Sequence, residues 1–317
     1  MNHRAKLGIA LGGGGARGIA HVGVLKVLER ENIIPDFITG TSIGALVGAA
    51  YAAEPRIADL EKRVVEVLDP DNPEKIPLQS RERLNWQESL KSSWRSRVVH
   101  YMQKEVFLLM AVLRTAVLSL DELRACVEAF LPDIDIKETA IPFAAVATDL
   151  IKGRPVVLTE GPIITAVMAS CAVPGFMPPV RLNGRILVDG GIVNALPADV
   201  ARAAGVDVVL GVDAGMTLNE TFQAEDGIDV INRCTEIMEI RLGEINRKNS
   251  DLVIQLDTGA VHWLNFQDCK KLIQEGQKAA EPMVACIKKA VNLSLHRRLL
   301  SSLSRKPAGI RVLSENI

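Results

Sequence analysis

A serine lies between two glycines at residues 40–44, in the order G-T-S-I-G. The pattern G-x-S-x-G is typical of a nucleophile elbow, a sharp strand-to-helix turn that projects the serine hydroxyl. Gly40 and Gly44 fit this role because neither carries a Cβ atom that would crowd the turn. A serine at the start of a helix can also act as an N-cap. The pattern therefore favours Ser42 as a nucleophile, with helix capping as the structural alternative.

A run of glycines precedes this serine, in the order G-G-G-G-A-R-G at residues 12–18. It contains the dinucleotide-binding pattern G-x-G-x-x-G, which also needs an acidic residue at the far end of the second strand. Asp36 precedes that strand, so the sequence disfavours a nucleotide-dependent oxidoreductase. Bare N–H groups beside a helix N-terminus fit an oxyanion hole or an anion site, and tight packing is the alternative. Arg17 is placed to tether the loop or to attract phosphate.

The base that would activate Ser42 has two candidates. A Ser–Asp–His triad needs a histidine, and of the five histidines His21 lies closest to a chemical motif. Its place within a predicted helix favours packing or capping. Asp189 instead ends an apolar strand and is followed by two glycines. A carboxylate at a strand end in parallel α/β packing points into the ligand crevice, although an ordinary Asp-Gly turn gives the same sequence.

The elements around these residues alternate between strands and helices, which indicates parallel α/β packing. Hydrophobic periodicity predicts strands at residues 6–11, 37–39 and 186–188, and helices at residues 16–30, 43–53, 228–246 and 267–291.

The composition is that of an ordinary globular protein. The chain has 317 residues, of which 48% are hydrophobic and 24% charged. A net charge of −1 argues against nucleic-acid binding. The five cysteines form no C-x-x-C pair, which favours reduced thiols in a cytosol over disulfides. We expect no cofactor and no metal.

Two basic stretches bear on contact with membranes. The first apolar run is too short for a signal peptide and no run reaches the length of a membrane span, so we expect a cytoplasmic protein. Residues 81–114 carry a net charge of +4 with two tryptophans and a tyrosine, and residues 266–306 carry +6. With the apolar residues 106–120, they allow peripheral contact with the anionic inner face of a membrane. Solvated helix faces are the alternative.

Three blocks taken together resemble the patatin-like phospholipase family in its short bacterial form. They are residues 13–18, 40–44 and 189–191, in the family's order, and residues 147–150 and 169–174 are also similar. The resemblance implies a three-layer α/β/α fold with a mainly parallel central sheet. It implies a catalytic domain over residues 7–201. Residues 202–317 would form a C-terminal α/β portion packed on the same fold and ending in a loosely held basic tail.

The resemblance also implies a reaction, the hydrolysis of lipid acyl esters by a Ser–Asp dyad without histidine. Ser42 would be the nucleophile and Asp189 the base. The backbone oxyanion hole would be formed by Gly13, Gly14 and Gly15, with Arg17 and Gly18 as anion or loop support. The D-G-G sequence at residues 189–191 has glycine where many members have alanine. A catalytically silent regulator or adaptor is the alternative, and the intact Ser42 and Asp189 argue against it. The sequence does not identify protein partners.

Overall fold

The computed structural model describes residues 5–68, 116, 118–216, 218, 222–224, 226–258, 261, 265–266 and 268–292. The basic stretch at residues 81–114 and most of the apolar stretch at residues 106–120 lie outside the described residues. So does the part of the second basic stretch beyond residue 292. Of the five histidines, His21 is the one that the described ranges contain.

Within the described residues, eight strands form one sheet with a parallel centre. Its parallel strands, in spatial order, are β8 (Leu252–Gln255), β7 (Val208–Asp213), β1 (Leu7–Leu11), β2 (Phe37–Thr41) and β3 (Phe143–Asp149). The antiparallel strands are β4 (Arg154–Leu158) and β6 (Arg185–Asp189), which both pair with β3, and β5 (Val180–Leu182), which pairs with β6. Two strands are longer than predicted, so that β2 reaches Thr41 and β6 reaches Asp189.

Helices cover both faces of this sheet. They are α1 (Ala20–Arg30), α2 (Ile43–Ala53), α3 (Ile57–Leu68), α4 (Leu120–Glu128), α5 (Ile163–Ser170), α6 (Ala198–Ala203), α7 (Gly227–Arg247), α8 (Cys269–Ala280) and α9 (Val284–Val291). Side chains alternate along β1, so that Leu7 and Ile9 enter the main core while Ala10 joins the smaller cluster under α6. The α/β fold with a central sheet is confirmed, and both buried faces explain the continuous apolar sequence of β1.

The described residues after position 201 build onto the same sheet. β7 and β8 extend it beyond β1, and α8 crosses α1 so closely that a Cβ atom on Gly23 would collide with the carbonyl of Ile273. One prediction is wrong: the expected helix at residues 267–291 is two helices separated by a turn at Glu281–Met283. Pro282 lacks an N–H and therefore removes one helical hydrogen bond. In the described part of the chain, no helix combines the length and apolar character needed to cross a membrane.

Candidate active site

Ser42 occupies the turn between β2 and α2 in a strained conformation. Its φ and ψ are 56° and −127°, a left-handed φ that costs a residue other than glycine about 1–3 kcal/mol. The turn is packed tightly, since a Cβ atom on Gly40 would collide with the carbonyl of Gly44. Ser42 has the N-cap position of α2, but its hydroxyl makes no capping hydrogen bond. These are the features of a nucleophile elbow, and they leave the hydroxyl available to another partner.

The pairing of β3 brings the ends of β2 and β6 together. Both strands lie along the same edge of β3, because β4 occupies the opposite edge. Thr41 of β2 pairs with Val146, and Asp189 of β6 pairs with the next residue, Ala147. Since β2 is parallel and β6 antiparallel to β3, the two strands meet end to end. Ser42 and Asp189 are therefore neighbours, although they are far apart in the sequence.

The carboxyl group of Asp189 is buried, with only 6% of the residue exposed. Its Oδ1 accepts a hydrogen bond of 2.7 Å from the N–H of Gly191. Its Oδ2 is buried, and no described residue gives it a hydrogen bond of normal geometry. Burial raises the pKa of Asp189 to about 6, and the nearby hydroxyl of Ser42 and the N–H of Gly191 oppose the rise. Such a carboxyl is a stronger base than a solvated one, and the unpartnered Oδ2 can accept a proton.

The loop between β1 and α1 is fixed by its carbonyl groups. Arg17 Nε donates to the carbonyl of Gly14 at 3.1 Å. In a trans peptide, the C=O of one residue and the N–H of the next point in opposite directions. Because the C=O of Gly14 points toward Arg17, the N–H of Gly15 points away from the Arg17 side chain. Arg17 itself is buried, and this desolvation lowers its pKa although Glu239 and Asp213 oppose the shift.

The same loop leaves two amide groups available. The N–H of Gly13 donates to the carbonyl of Ala195 at 2.9 Å, whereas those of Gly14 and Gly15 bond to no other described residue. Of the three donors expected from the sequence, the N–H of Gly13 is therefore already bonded, and those of Gly14 and Gly15 have no partner among the described residues. Gly13 adjoins the elbow, because a Cβ atom on it would lie 3.6 Å from Cβ of Ser42. Gly18 serves packing, since a Cβ atom there would collide with the side chain of Ile43.

His21 lies under the glycine loop and is fully buried. Its Nε2 is 2.8 Å from the carbonyl oxygen of Gly12, and its Nδ1 has no hydrogen-bond partner. Burial lowers the pKa of His21 to about 4, so the ring is neutral near pH 7 and Nε2 carries the hydrogen that it donates. The imidazole therefore holds the loop through Gly12 and makes no hydrogen bond to Ser42 or Asp189.

Several polar groups around the site were not assigned from the sequence. The hydroxyl of Ser170 accepts the N–H of Ser42 at 3.0 Å, and Thr148 Oγ1 donates to the carbonyl of Asp189 at 2.8 Å. Thr41 Oγ1 donates to the carbonyl of Asn194 at 2.9 Å, next to the partner of Gly13. The one signal in the sequence was that Ser170 and Thr148 fall within the segments at residues 169–174 and 147–150. Within the described ranges, no group of three or more His, Cys, Asp or Glu side chains could hold a metal ion.

The site thus combines a strained serine on a strand-to-helix turn with a buried carboxyl beside it, and both lie at strand ends of an α/β sheet. The family model for patatin-like phospholipase matches residues 9–202. The chain belongs to the patatin-like phospholipase family, which confirms the resemblance found in the sequence.

The comparisons with individual proteins agree with this family. Patatin-like phospholipase domain-containing protein 7 of Rattus norvegicus is 33% identical over 211 residues, which are 66% of this chain and 14% of that protein. Neuropathy target esterase sws of Drosophila melanogaster is 29% identical over 211 residues, or 66% of this chain and 13% of that protein. The chain thus matches only a small part of these relatives.

Two solved structures are similar at low sequence identity. VipD from Legionella pneumophila has a TM-score of 0.48 and 16% identity, with 90% of this chain and 67% of that chain covered. Human GIVD cytosolic phospholipase A2 in complex with methyl gamma-linolenyl fluorophosphonate has a TM-score of 0.45 and 14% identity, with 93% and 60% covered.

Proposed function

We propose that the chain is a serine hydrolase that cleaves acyl esters of lipids, including phospholipids, through Ser42 and Asp189. The observation that carries this proposal is the end-to-end meeting of β2 and β6 along β3. It sets a strained serine, whose hydroxyl caps no helix, beside a buried carboxyl with an unpartnered Oδ2. A packing role alone would not account for a strained serine beside a buried carboxyl whose Oδ2 has no hydrogen bond of normal geometry among the described residues and whose charged form the Ser42 hydroxyl favours.

In the proposed first half of the reaction, Ser42 Oγ attacks the acyl carbonyl carbon while its proton moves to Asp189 Oδ2. The carbonyl oxygen becomes an oxyanion, and the free N–H groups of Gly14 and Gly15 are its proposed donors. The bond to the alkoxy leaving group then breaks. The leaving oxygen takes the proton from Asp189, which yields an alcohol and an acyl ester on Ser42.

In the second half, a water molecule attacks the acyl ester on Ser42 and gives a proton to Asp189. Collapse of the second tetrahedral intermediate returns that proton to Ser42 Oγ and releases the carboxylic acid. Asp189 thus acts as base and then as acid in each half, which is why a pKa near 6 suits it better than the ordinary pKa of an aspartate.

The proposed substrate class rests on the relatives. They are named as phospholipases and as an esterase, which favours acyl esters of lipids.

A fluorophosphonate probe tests the proposal, because it reacts with an activated serine to give a stable adduct. We expect one adduct, mapped by peptide mass to Ser42, and we expect the Ser42→Ala variant to lose both labelling and hydrolysis of a p-nitrophenyl acyl ester. Ser250→Ala is the matched control, since the hydroxyl of Ser250 is buried and has no hydrogen-bond partner among the described residues. Labelling of folded Ser42→Ala at the wild-type rate would refute the assignment. Folded wild-type protein that neither labels nor hydrolyses would favour the silent adaptor.

The proposal includes peripheral contact with a membrane, because lipid esters reside in bilayers. Among the described residues, the outward side of α7 carries apolar side chains that are exposed to solvent: Val230, Ile231, Ile237, Met238 and Ile245. α7 also flanks the site, since Glu239 is among the charges that raise the pKa of Asp189. We propose that this side of the molecule faces the lipid.

Co-sedimentation with vesicles tests this contact. Phosphatidylglycerol and phosphatidylcholine vesicles at low and high salt separate charge-driven from apolar binding. We expect Met238→Asp to weaken binding, while Ile34→Asp is the control, because Ile34 is also an apolar side chain, is exposed to a similar extent (59% against 62%) and lies in the α1–β2 connection. Failure to bind either vesicle at low salt would contradict the membrane contact, and the proposed substrates would then be dissolved esters.

A further inference from the structure

Ser170, the last residue of α5, connects the elbow to the neighbouring strand. It is fully buried. Its hydroxyl accepts the N–H of Ser42 at 3.0 Å and donates its proton to the carbonyl of Val146 at 2.6 Å. Because the hydroxyl proton is already used and no solvent reaches it, Ser170 is not a nucleophile.

The turn that follows Ser170 also holds the proposed base. The carbonyl of Ala172 accepts the N–H of Asp189 at 2.9 Å. The C-terminal turn of α5 thus contacts the backbone of both members of the proposed dyad, within three consecutive residues. On the other side of Asp189, Thr148 Oγ1 donates to its carbonyl at 2.8 Å, so the main chain of the base is fixed at both polar groups.

Ser42 needs such a restraint more than an ordinary residue does. A serine with φ of 56° keeps that conformation only where its surroundings over-determine it. The glycines of the elbow permit the sharp turn, but they do not select the rotation of the Thr41–Ser42 peptide. The hydrogen bond from the Ser42 N–H to Ser170 fixes that rotation, and it thereby sets the direction of the Cβ atom that carries Oγ.

We propose that Ser170 is a positioning residue, which orients the Ser42 peptide so that Oγ faces Oδ2 of Asp189. The inference rests on the proposed function. It assigns Ser170 no contact with substrate, so its loss acts through Ser42. A hydroxyl that served only to complete the core would affect the stability of the fold and leave the turnover of folded protein unchanged.

The test compares Ser170→Ala with Ser170→Thr, which retains a donor and an acceptor, and with Ser250→Ala. We expect Ser170→Ala to lower kcat and the rate of fluorophosphonate labelling by about 10²-fold, the scale for a displaced reacting group. KM and the midpoint of the acid limb of the pH profile should stay near the wild-type values, since substrate contacts and Asp189 are untouched. Ser170→Thr should recover most of the lost kcat, and Ser250→Ala should behave as wild type.

Two outcomes overturn the inference. The first is folded Ser170→Ala with wild-type kcat and labelling rate. The second is a loss that Ser170→Thr, once folded, does not recover. If Ser170→Ala does not fold, Ser170→Cys takes its place, because a thiol is similar in size and a weak hydrogen-bonding group. Its kcat should then fall at constant KM, and wild-type kcat would refute the role.

Failure of the inference is distinguishable from failure of the proposed function. Loss of labelling in Ser42→Ala together with normal Ser170→Ala would remove the positioning role alone. Labelling that persists in Ser42→Ala would remove the nucleophile, whatever the Ser170 variants do.

Discussion

The turns after β1 and β2 both contain glycines, and they use them differently. In the elbow after β2, Gly40 and Gly44 are required by close backbone packing, and the strained conformation falls on Ser42 between them. In the loop after β1, Gly14 is also closely packed, but Gly13, Gly14 and Gly15 are only half-buried, and the N–H groups of Gly14 and Gly15 bond to no other described residue.

Under the proposed function, glycines thus serve two kinds of chemistry. The elbow would offer the side chain of Ser42, which needs a titratable partner in Asp189. The loop offers backbone dipoles, which need no proton transfer but must be held in one orientation. Arg17 and His21 provide that hold through the carbonyls of Gly14 and Gly12. We call the pair of Ser42 and Asp189 the side-chain half of the site and the glycine loop its backbone half. The two halves should respond differently to substitution and to pH.

The side-chain half should be most sensitive at its base. Asp189→Asn keeps the shape of the side chain but cannot accept the proton of Ser42, so kcat should fall by about 10²–10⁴-fold. Asp149→Asn is the matched control, because Asp149 is also a buried aspartate at the end of a strand, and its Oδ1 accepts from the N–H of Ile151 in a turn. Steady-state kinetics on both variants tests whether Asp189 is the base: kcat should fall in Asp189→Asn and stay near the wild-type value in Asp149→Asn. An active Asp189→Asn with an inactive His21→Gln would replace the dyad with a histidine-based site.

The same change should stabilise the protein at alkaline pH. The pKa of Asp189 rises on folding from an ordinary 3.8 to about 6, which corresponds to about 3 kcal/mol. The folded state thus holds the proton more tightly, and this stabilisation is present below pH 3.8 and is lost as pH rises through 6. Unfolding by urea should show Asp189→Asn to be at least as stable as wild type at pH about 8. A large destabilisation there would mean that the carboxylate is favourably solvated in the fold.

The backbone half should be most sensitive at Gly14. A Cβ atom on Gly14 would lie 2.5 Å from the carbonyl oxygen of Ala214, so Gly14→Ala must shift the loop. We expect kcat to fall by about 10²–10³-fold with a much smaller change in KM, as for loss of an oxyanion donor. Gly243→Ala in α7 is the control, because a Cβ atom there meets nothing within 4 Å. A rise in KM with kcat unchanged would assign the loop to substrate binding instead.

The pH profile separates the halves further. Asp189 must be deprotonated to act as a base, so kcat/KM should be lost as pH falls through about 6, by about tenfold per pH unit below the midpoint. Glycine N–H groups do not titrate in this range, and His21 stays neutral because its pKa is lowered to about 4. Gly14→Ala should therefore lower the plateau without moving the midpoint. A midpoint that moves with Gly14→Ala would show that the two halves are coupled.

The smallest effect is expected at His21. His21→Gln retains a donor toward the carbonyl of Gly12, so kcat should fall by less than about fivefold. His21→Leu removes the donor and should lower kcat further at unchanged KM. Both are measured with the p-nitrophenyl ester after circular dichroism has confirmed folding. A greater loss in His21→Gln than in His21→Leu would contradict a role through hydrogen bonding.

The sequence by itself determined the parts of the site that are local. Gly40 and Gly44 around a serine between an apolar strand and a helix indicated the elbow, because such a turn depends on the residues within it. Its place at the end of an apolar strand made Asp189 a candidate base, and the resemblance to the family favoured it over an ordinary Asp-Gly turn. The alternation of strands and helices predicted the α/β class, whereas the break at Pro282 was missed because helical periodicity continues through it.

Only the tertiary structure decided how these parts meet. β2 and β6 pair with successive parts of the same edge of β3, and nothing local to Ser42 or Asp189 specifies this pairing. The same holds for Ser170 under the Ser42 N–H and for Ala195, which occupies the Gly13 N–H and so reduces the free loop donors to two. The burial that raises the pKa of Asp189 is likewise a property of the packed molecule. Hydrogen-bond partners and desolvation come from residues distant in sequence, and so the chemistry of the motifs depends on contacts that the motifs do not encode.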